Sequence, residues 1–242
     1  MRDADVQFID TAGNAYLAFE GAWVFIKGEA KPNAVATAEC RGRAFQPAGL
    51  KLTFALLLEP ESANLTYREL AAAAGLSPAA VKYVMDDLAG KGYLQVDGRQ
   101  RHLTQRSRLL DEWSTGYRDR LRPKLLTSRY RTDASDWWQT VSLAGQAACW
   151  GSEVTATKLG LMRRPQTCTL YRWGSINQVI AKGRLTADPA GDIEVLEAFW
   201  PTAEGELCPL ILAYADLLSS GVERNIQVAG ELYERELASQ FA

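Results

Sequence analysis

Residues 65–104 read LTYRELAAAAGLSPAAVKYVMDDLAGKGYLQVDGRQRHLT, and this stretch decides the fold. Thr66 to Glu69 has capping-box spacing: a hydroxyl at the N-cap and a carboxylate three residues on, each able to meet a backbone N–H that a first helical turn leaves free. A helix therefore starts at Thr66 and stops at Gly75, the residue that takes the left-handed conformation at least cost. Ser77 caps a second helix, and Pro78 occupies its first turn, where a missing N–H costs nothing. Leu70, Ala71, Ala74, Leu76, Val81, Val84 and Leu88 lay one stripe of each helix against the other, the arrangement of a helix-turn-helix. After Gly90-Lys91-Gly92, Tyr93 to Val96 alternates like a strand, Asp97-Gly98 is a strong two-residue turn, and Arg99 to Leu103 returns. The stretch predicts a winged helix-turn-helix; the plain alternative is a helical hairpin followed by an unrelated β-hairpin.

Working outward, PAGLKLTFALLL (47–58) is a helix with Leu50, Phe54, Leu57 and Leu58 on one side and Lys51 exposed, ended by Pro60. On the other side, Gln105 to Arg122 is a longer helix. Its apolar stripe is Leu109, Leu110, Trp113, Tyr117 and Leu121, with Arg108, Arg118 and Arg122 projecting opposite and Pro123 closing it. Residues 5–27 alternate in three short runs, the pattern of an antiparallel meander, and residues 28–44 form a linker. The meander's Phe8, Tyr16, Phe19, Trp23 and Phe25 suit a small packed face better than a base-stacking platform, because Lys27 is the only nearby cation.

From Leu125 the pattern is mixed. Strands are predicted at 125–131, 167–173 and 193–200, helices at 152–159, 176–182, 209–219 and 223–238, and the last helix buries Ile226, Ala229, Leu232, Tyr233 and Leu237. The expected fold is α+β: an N-terminal β-meander and linker (1–40), a winged helix DNA-binding domain (41–123) and a C-terminal mixed α+β domain (124–242).

Composition fits a globular chain: of 242 residues, 47% are hydrophobic and 23% charged, and no apolar run is long enough for a membrane span. Acids stand where a signal peptide would carry basic residues, so a cytoplasmic location without membrane association is expected. Cys40, Cys149, Cys168 and Cys208 show no C-x-x-C pairing and His102 is the single histidine, which argues against a zinc site or a disulfide framework. No cofactor is expected. The formal net charge of −2 conceals an asymmetry: residues 1–40, 41–131 and 132–242 carry 3, 16 and 8 basic against 6, 9 and 14 acidic side chains, or −3, +7 and −6. The positive segment contains the helix-turn-helix, as in a nucleic-acid binder.

In that reading the partner is double-stranded DNA. The second helix of the motif enters the major groove with Ser77, Ala79, Lys82 and Tyr83 near its start. Lys82 could donate to guanine, Ala79 could touch a thymine methyl, and Asp86 could accept from cytosine. In the wing, Arg99, Gln100, Arg101 and His102 are placed for phosphates or an adjacent minor groove, and Arg68 is a further phosphate candidate. Winged helices also serve as protein-interaction modules, which is one alternative. Another is an enzyme: Gly174-Ser175 followed by Asp192 and Glu194 follows the nucleotidyltransferase pattern of a phosphate-holding helix start and paired Mg²⁺-binding carboxylates. The spacing is longer than usual for that pattern, and no catalytic residue is assigned.

The phrases AGLKLTFALLLEP (48–60), TYRELAAAAGLSPAAVKYVMDDLAGKGYL (66–94), LRPKLL (121–126), WGSEVTATKLG (150–160), DIEVLEAFW (192–200) and LILAYADLLSSGVERN (210–225) together resemble the AbiEi-like transcriptional regulators, the antitoxins of type IV toxin-antitoxin systems. The resemblance implies a bacterial regulator that binds repeats in its own promoter. It also implies a functional, not necessarily physical, link to a separately encoded nucleotidyltransferase toxin. A homodimer would match inverted-repeat operators. The meander of residues 5–27 departs from the more helical lead-in that the family leads one to expect.

Overall fold

The computed structural model describes residues 8–9, 15–19, 22–26, 42–201 and 205–241. The chain divides into two units, residues 1–41 and 42–242. In the first unit the backbone forms the expected antiparallel meander, β1 (Phe8–Ile9), β2 (Ala15–Phe19) and β3 (Ala22–Ile26), with Tyr16 opposite both Phe8 and Phe25. The packing of its aromatic side chains, the linker up to Arg41 and Cys40 lie outside the described residues.

The second unit opens with α1 (Pro47–Leu58), buried on almost all sides through Leu50, Leu52, Phe54, Leu56 and Leu57. Leu58, expected on the packed side, is 41% exposed. Next come α2 (Tyr67–Ala74) and α3 (Pro78–Gly90). Strands β4 (Leu94–Asp97) and β5 (Gln100–Leu103) pair as a hairpin with Asp97 opposite Gln100. The turn residues are thus Gly98-Arg99 rather than Asp97-Gly98; Gly98, at φ 59°, takes the first turn position, where hairpins of the II′ type want glycine.

Helix α4 (Arg106–Gly116) does not stop at Pro123. A π-type turn over Tyr117–Leu121 widens the helix, and α5 (Arg122–Leu125) carries it on through the proline. The missing proline N–H falls where the hydrogen-bond register has already changed.

The C-terminal half is built on a five-stranded mixed sheet in the order β7-β8-β10-β6-β9. Its strands are β6 (Leu126–Arg131), β7 (Ala148–Gly151), β8 (Cys168–Arg172), β9 (Thr186–Ala187) and β10 (Ile193–Glu197). Helices α6 (Trp137–Thr140), α7 (Ser152–Lys158) and α8 (Asn177–Gly183) connect them, and α9 (Leu210–Ser219) and α10 (Glu223–Leu232) follow. A second π-type turn, Tyr233–Leu237, leads into α11 (Ala238–Phe241). The expected elements are present; β7, β9 and α6 were not anticipated, and β10 leaves the sheet at Glu197, short of Trp200. On α10 it is Val228, with Ala229 and Leu232, that is buried, while Ile226 is 46% exposed.

Strands β8 and β10 run parallel, joined through α8, and both faces of the sheet are covered. Leu170, Ile193 and Val195 face one core with Trp137, Trp150 and Val179. Tyr171 and Leu196 face the other, which is continuous with the helices of residues 47–121. An aromatic run joins these parts: Phe54 stacks on Trp113, Trp113 on Tyr117, and Phe54 meets Phe199 edge-on. Among the described residues no helix is long and apolar enough to cross a membrane.

Candidate nucleic-acid interface

The connection between α2 and α3 forms as its sequence dictates. Thr66 Oγ1 accepts from the Glu69 N–H at 3.3 Å while Glu69 accepts from the Thr66 N–H at 2.7 Å, which holds the Glu69 carboxyl below its usual range. Gly75 ends α2 in the left-handed conformation (φ 65°), and Ser77 Oγ accepts from the Ala80 N–H at 3.2 Å to start α3. Val81, Val84, Met85 and Leu88 then turn inward. Ala79, Lys82, Tyr83 and Asp86 are left on an outward face together with the exposed cap residue Ser77.

Sequence reasoning missed two features of that face. Lys82 Nζ bonds Asp86 at 2.5 Å, and that bond raises the Lys82 pKa. Asp86 is therefore paired on its own helix. In addition, the Arg43 guanidinium lies 4.3 Å above the ring of Tyr83, which is 50% exposed. Asp87 on α3 accepts from the Ala44 N–H at 3.0 Å, anchoring the turn that carries Arg43. That turn presses on α1 so closely that a Cβ on Gly49 would lie 1.8 Å from the Arg43 carbonyl oxygen. Arg43 stands outside the motif in sequence, so only the packing of this turn could reveal it.

Residues 99–102 do not act as a set. Arg99, Gln100 and His102 are exposed, as is Arg68 near the start of α2. Arg101 turns back onto the protein: its guanidinium donates to the Leu65 carbonyl at 2.7 Å and sits 5.1 Å above the Tyr67 ring, and its N–H donates to Asn64 Oδ1 at 2.8 Å. Its side chain fastens the hairpin to the segment that enters α2.

On the later helix, Arg108 and Arg118 face solvent, beside Glu112 and Asp119 respectively. Arg122, expected to project with them, turns inward to Asp216 at 2.9 Å and Glu194 at 2.6 Å. Asp216 also accepts from the Tyr117 and Tyr171 hydroxyls, both at 2.8 Å. Burial and the Asp216 charge push both phenols far above the ordinary value. Arg129 binds the other oxygen of Glu194. With both oxygens of this buried carboxylate held by guanidinium groups, Glu194 closes an internal ion-pair network, and Asp192 lies exposed at the strand's start. Ser175 Oγ accepts from the Asn177 N–H at 3.3 Å within its own turn. Among the described residues no group of three or more His, Cys, Asp or Glu is placed to hold a metal ion.

A family model described as a transcriptional regulator, the AbiEi antitoxin of type IV toxin-antitoxin systems, matches residues 102–238. No curated protein and no solved structure matches the chain. The matched span begins at the end of β5 and covers the C-terminal half, so the geometry of residues 65–101 is an argument independent of it.

Proposed function

The chain belongs to the AbiEi family of type IV antitoxin transcriptional regulators, and from that premise we propose that it binds double-stranded DNA sequence-specifically through residues 43–104, folded as a winged helix-turn-helix, to repress its own operon. The observation that carries this reading is the outward face of α3. It is capped at Ser77, kept apolar only on its inner side, and flanked by a hairpin with exposed Arg99, Gln100 and His102. A helix of this kind can lie in a major groove while the hairpin meets the backbone or the neighbouring minor groove. Arg43 and Arg68 extend the positive surface beside it, and most of the affinity would come from phosphates.

A homodimer on inverted repeats, a cytoplasmic location and a toxin whose activity the protein opposes complete the proposal. We read the chain as a binding protein rather than an enzyme. Support for this comes from Glu194, the carboxylate that a nucleotidyltransferase would need for Mg²⁺, which is committed to Arg122 and Arg129.

Fluorescence-anisotropy titration of the full chain with DNA from upstream of its gene, and with scrambled DNA, tests the reading at two salt concentrations. Upstream DNA should bind on the order of 10³-fold tighter, with both affinities falling steeply as salt rises. Equal, weak binding of the two duplexes would instead favour a protein-contact role for the motif.

A further inference from the structure

Helix α3 turns two rows of side chains outward, and they differ in chemistry. Lys82 and Asp86, one helical turn apart, form the first; their bond at 2.5 Å leaves that row with no net charge. Ala79 and Tyr83, also one turn apart, form the second, and both are exposed. Along Pro78–Gly90 there is no Arg, Asn or Gln, the side chains that make two-pronged hydrogen bonds to base edges. Groups able to hydrogen-bond a base are therefore scarce on this face, whereas apolar surface is not.

Tyr83 is one of the large apolar side chains that the surface exposes, at 50%. Its ring is held in place: the Arg43 guanidinium lies 4.3 Å from the ring centre, and the turn that bears Arg43 is pinned to α3 by the Ala44 N–H, which donates to Asp87 at 3.0 Å. A ring so held presents apolar surface beside the Ala79 methyl with little ordering left to do on binding. In a major groove the matching chemistry is the C5-methyl group of thymine, the one apolar group that a base pair displays there.

We propose that α3 selects its DNA site by covering thymine methyl groups with Ala79 and Tyr83. The assignment rests on the DNA-binding reading above and adds what is read: thymines in the major groove under the first turns of α3, chosen by apolar contact rather than by hydrogen bonding. Each methyl group covered is worth about fourfold in affinity, from the ordinary gain on burying one such carbon. Hairpin contacts to phosphates or the minor groove do not sense that methyl, because it projects only into the major groove.

Anisotropy titrations of the full chain compare the upstream duplex made with thymine and the same duplex made with uracil, which lacks only the methyl groups. The uracil duplex should bind about 15- to 60-fold more weakly, the loss of two or three methyl contacts, while scrambled duplexes with thymine or uracil should bind alike. Tyr83→Phe, which keeps the ring, should preserve most of the difference. Tyr83→Ala should shrink it by about fourfold or more. Equal binding of the thymine and uracil upstream duplexes overturns the assignment even where upstream DNA is preferred over scrambled DNA. So does a difference that survives Tyr83→Ala intact or vanishes in Tyr83→Phe. No preference for the upstream thymine duplex over scrambled DNA would overturn the DNA-binding reading, and the assignment with it.

Discussion

Arg122 and Asp216 meet at 2.9 Å in the interior, the guanidinium Nε donating to a carboxylate whose side chain is fully buried. The contact joins the helix that follows the hairpin to α9, and through Glu194 and Arg129 it reaches two strands of the sheet. Removing one partner of such a buried pair strands the other's charge, which costs more than the pair contributes over an apolar substitute. Asp216→Ala should therefore lower stability by about 3–5 kcal/mol, because Arg122 and two tyrosine hydroxyls lose their acceptor together. Asp216→Asn, whose one carbonyl oxygen still accepts from Tyr117 while its NH2 can donate to the Tyr171 hydroxyl oxygen, should cost less. Urea midpoints of the three proteins check this; a loss under about 1 kcal/mol for the alanine variant would show that water enters and replaces the carboxylate.

The same contact shows what the sequence could and could not yield. At about 100° per residue, Arg122 lies about 140° round the helix from Tyr117, and periodicity consequently assigned it to the solvent face. The π-type turn between them has more residues per turn and brings both side chains toward Asp216. Nothing in residues 117–121 announces that turn. Caps are another matter, because they depend on neighbours within four residues: Thr66 with Glu69, Gly75, and Ser77 with Pro78 were all legible. The candidate face of α3 followed from them. Arg43 over Tyr83 and Arg101 against Tyr67 did not, since each depends on where a distant segment packs.

Arg99 and Arg101 should behave oppositely when changed singly. Arg99→Ala removes an exposed cation from the hairpin turn, so it should leave stability within about 0.5 kcal/mol and reduce the salt slope of DNA binding by about one. Arg101→Ala removes the hydrogen bond to the Leu65 carbonyl and the stacking on Tyr67, costing about 1–2 kcal/mol and speeding amide exchange across residues 94–103. Thermal melts with exchange mass spectrometry distinguish the two. Equal stability of both variants would mean that the Arg101 clasp is dispensable.

Alkaline pH should destabilise the fold through its buried thiols. Burial pushes Cys149 and Cys168 up to about 12, from an ordinary value near 9. The folded state thus holds protons that the unfolded state gives up, and this stability is intact below pH 9. It is lost between about pH 9 and 12, at up to about 1.4 kcal/mol per pH unit per thiol. Urea midpoints measured from pH 8 to 11 should fall, and fall less steeply in Cys149→Ala/Cys168→Ala. Both thiols should also resist alkylation at pH 8 until denaturant is added.

Asp86 offers the sharpest probe of the α3 face. It neutralises Lys82 one turn away, at 2.5 Å, on a surface where both side chains remain more than half exposed. If that surface meets DNA, Asp86 opposes the phosphates and must release Lys82 before the ammonium can reach a base or a backbone oxygen. Asp86→Ala removes the repulsion and frees the cation together, so scrambled DNA should bind about 3–10-fold tighter at low salt, with a steeper salt slope. Specific binding should gain less if the carboxylate accepts from a cytosine amino group, which narrows the ratio between upstream and scrambled duplexes. Anisotropy titrations of the variant against both duplexes measure that ratio. An unchanged affinity for each would take α3 off the DNA and leave the hairpin and Arg43 to account for any binding.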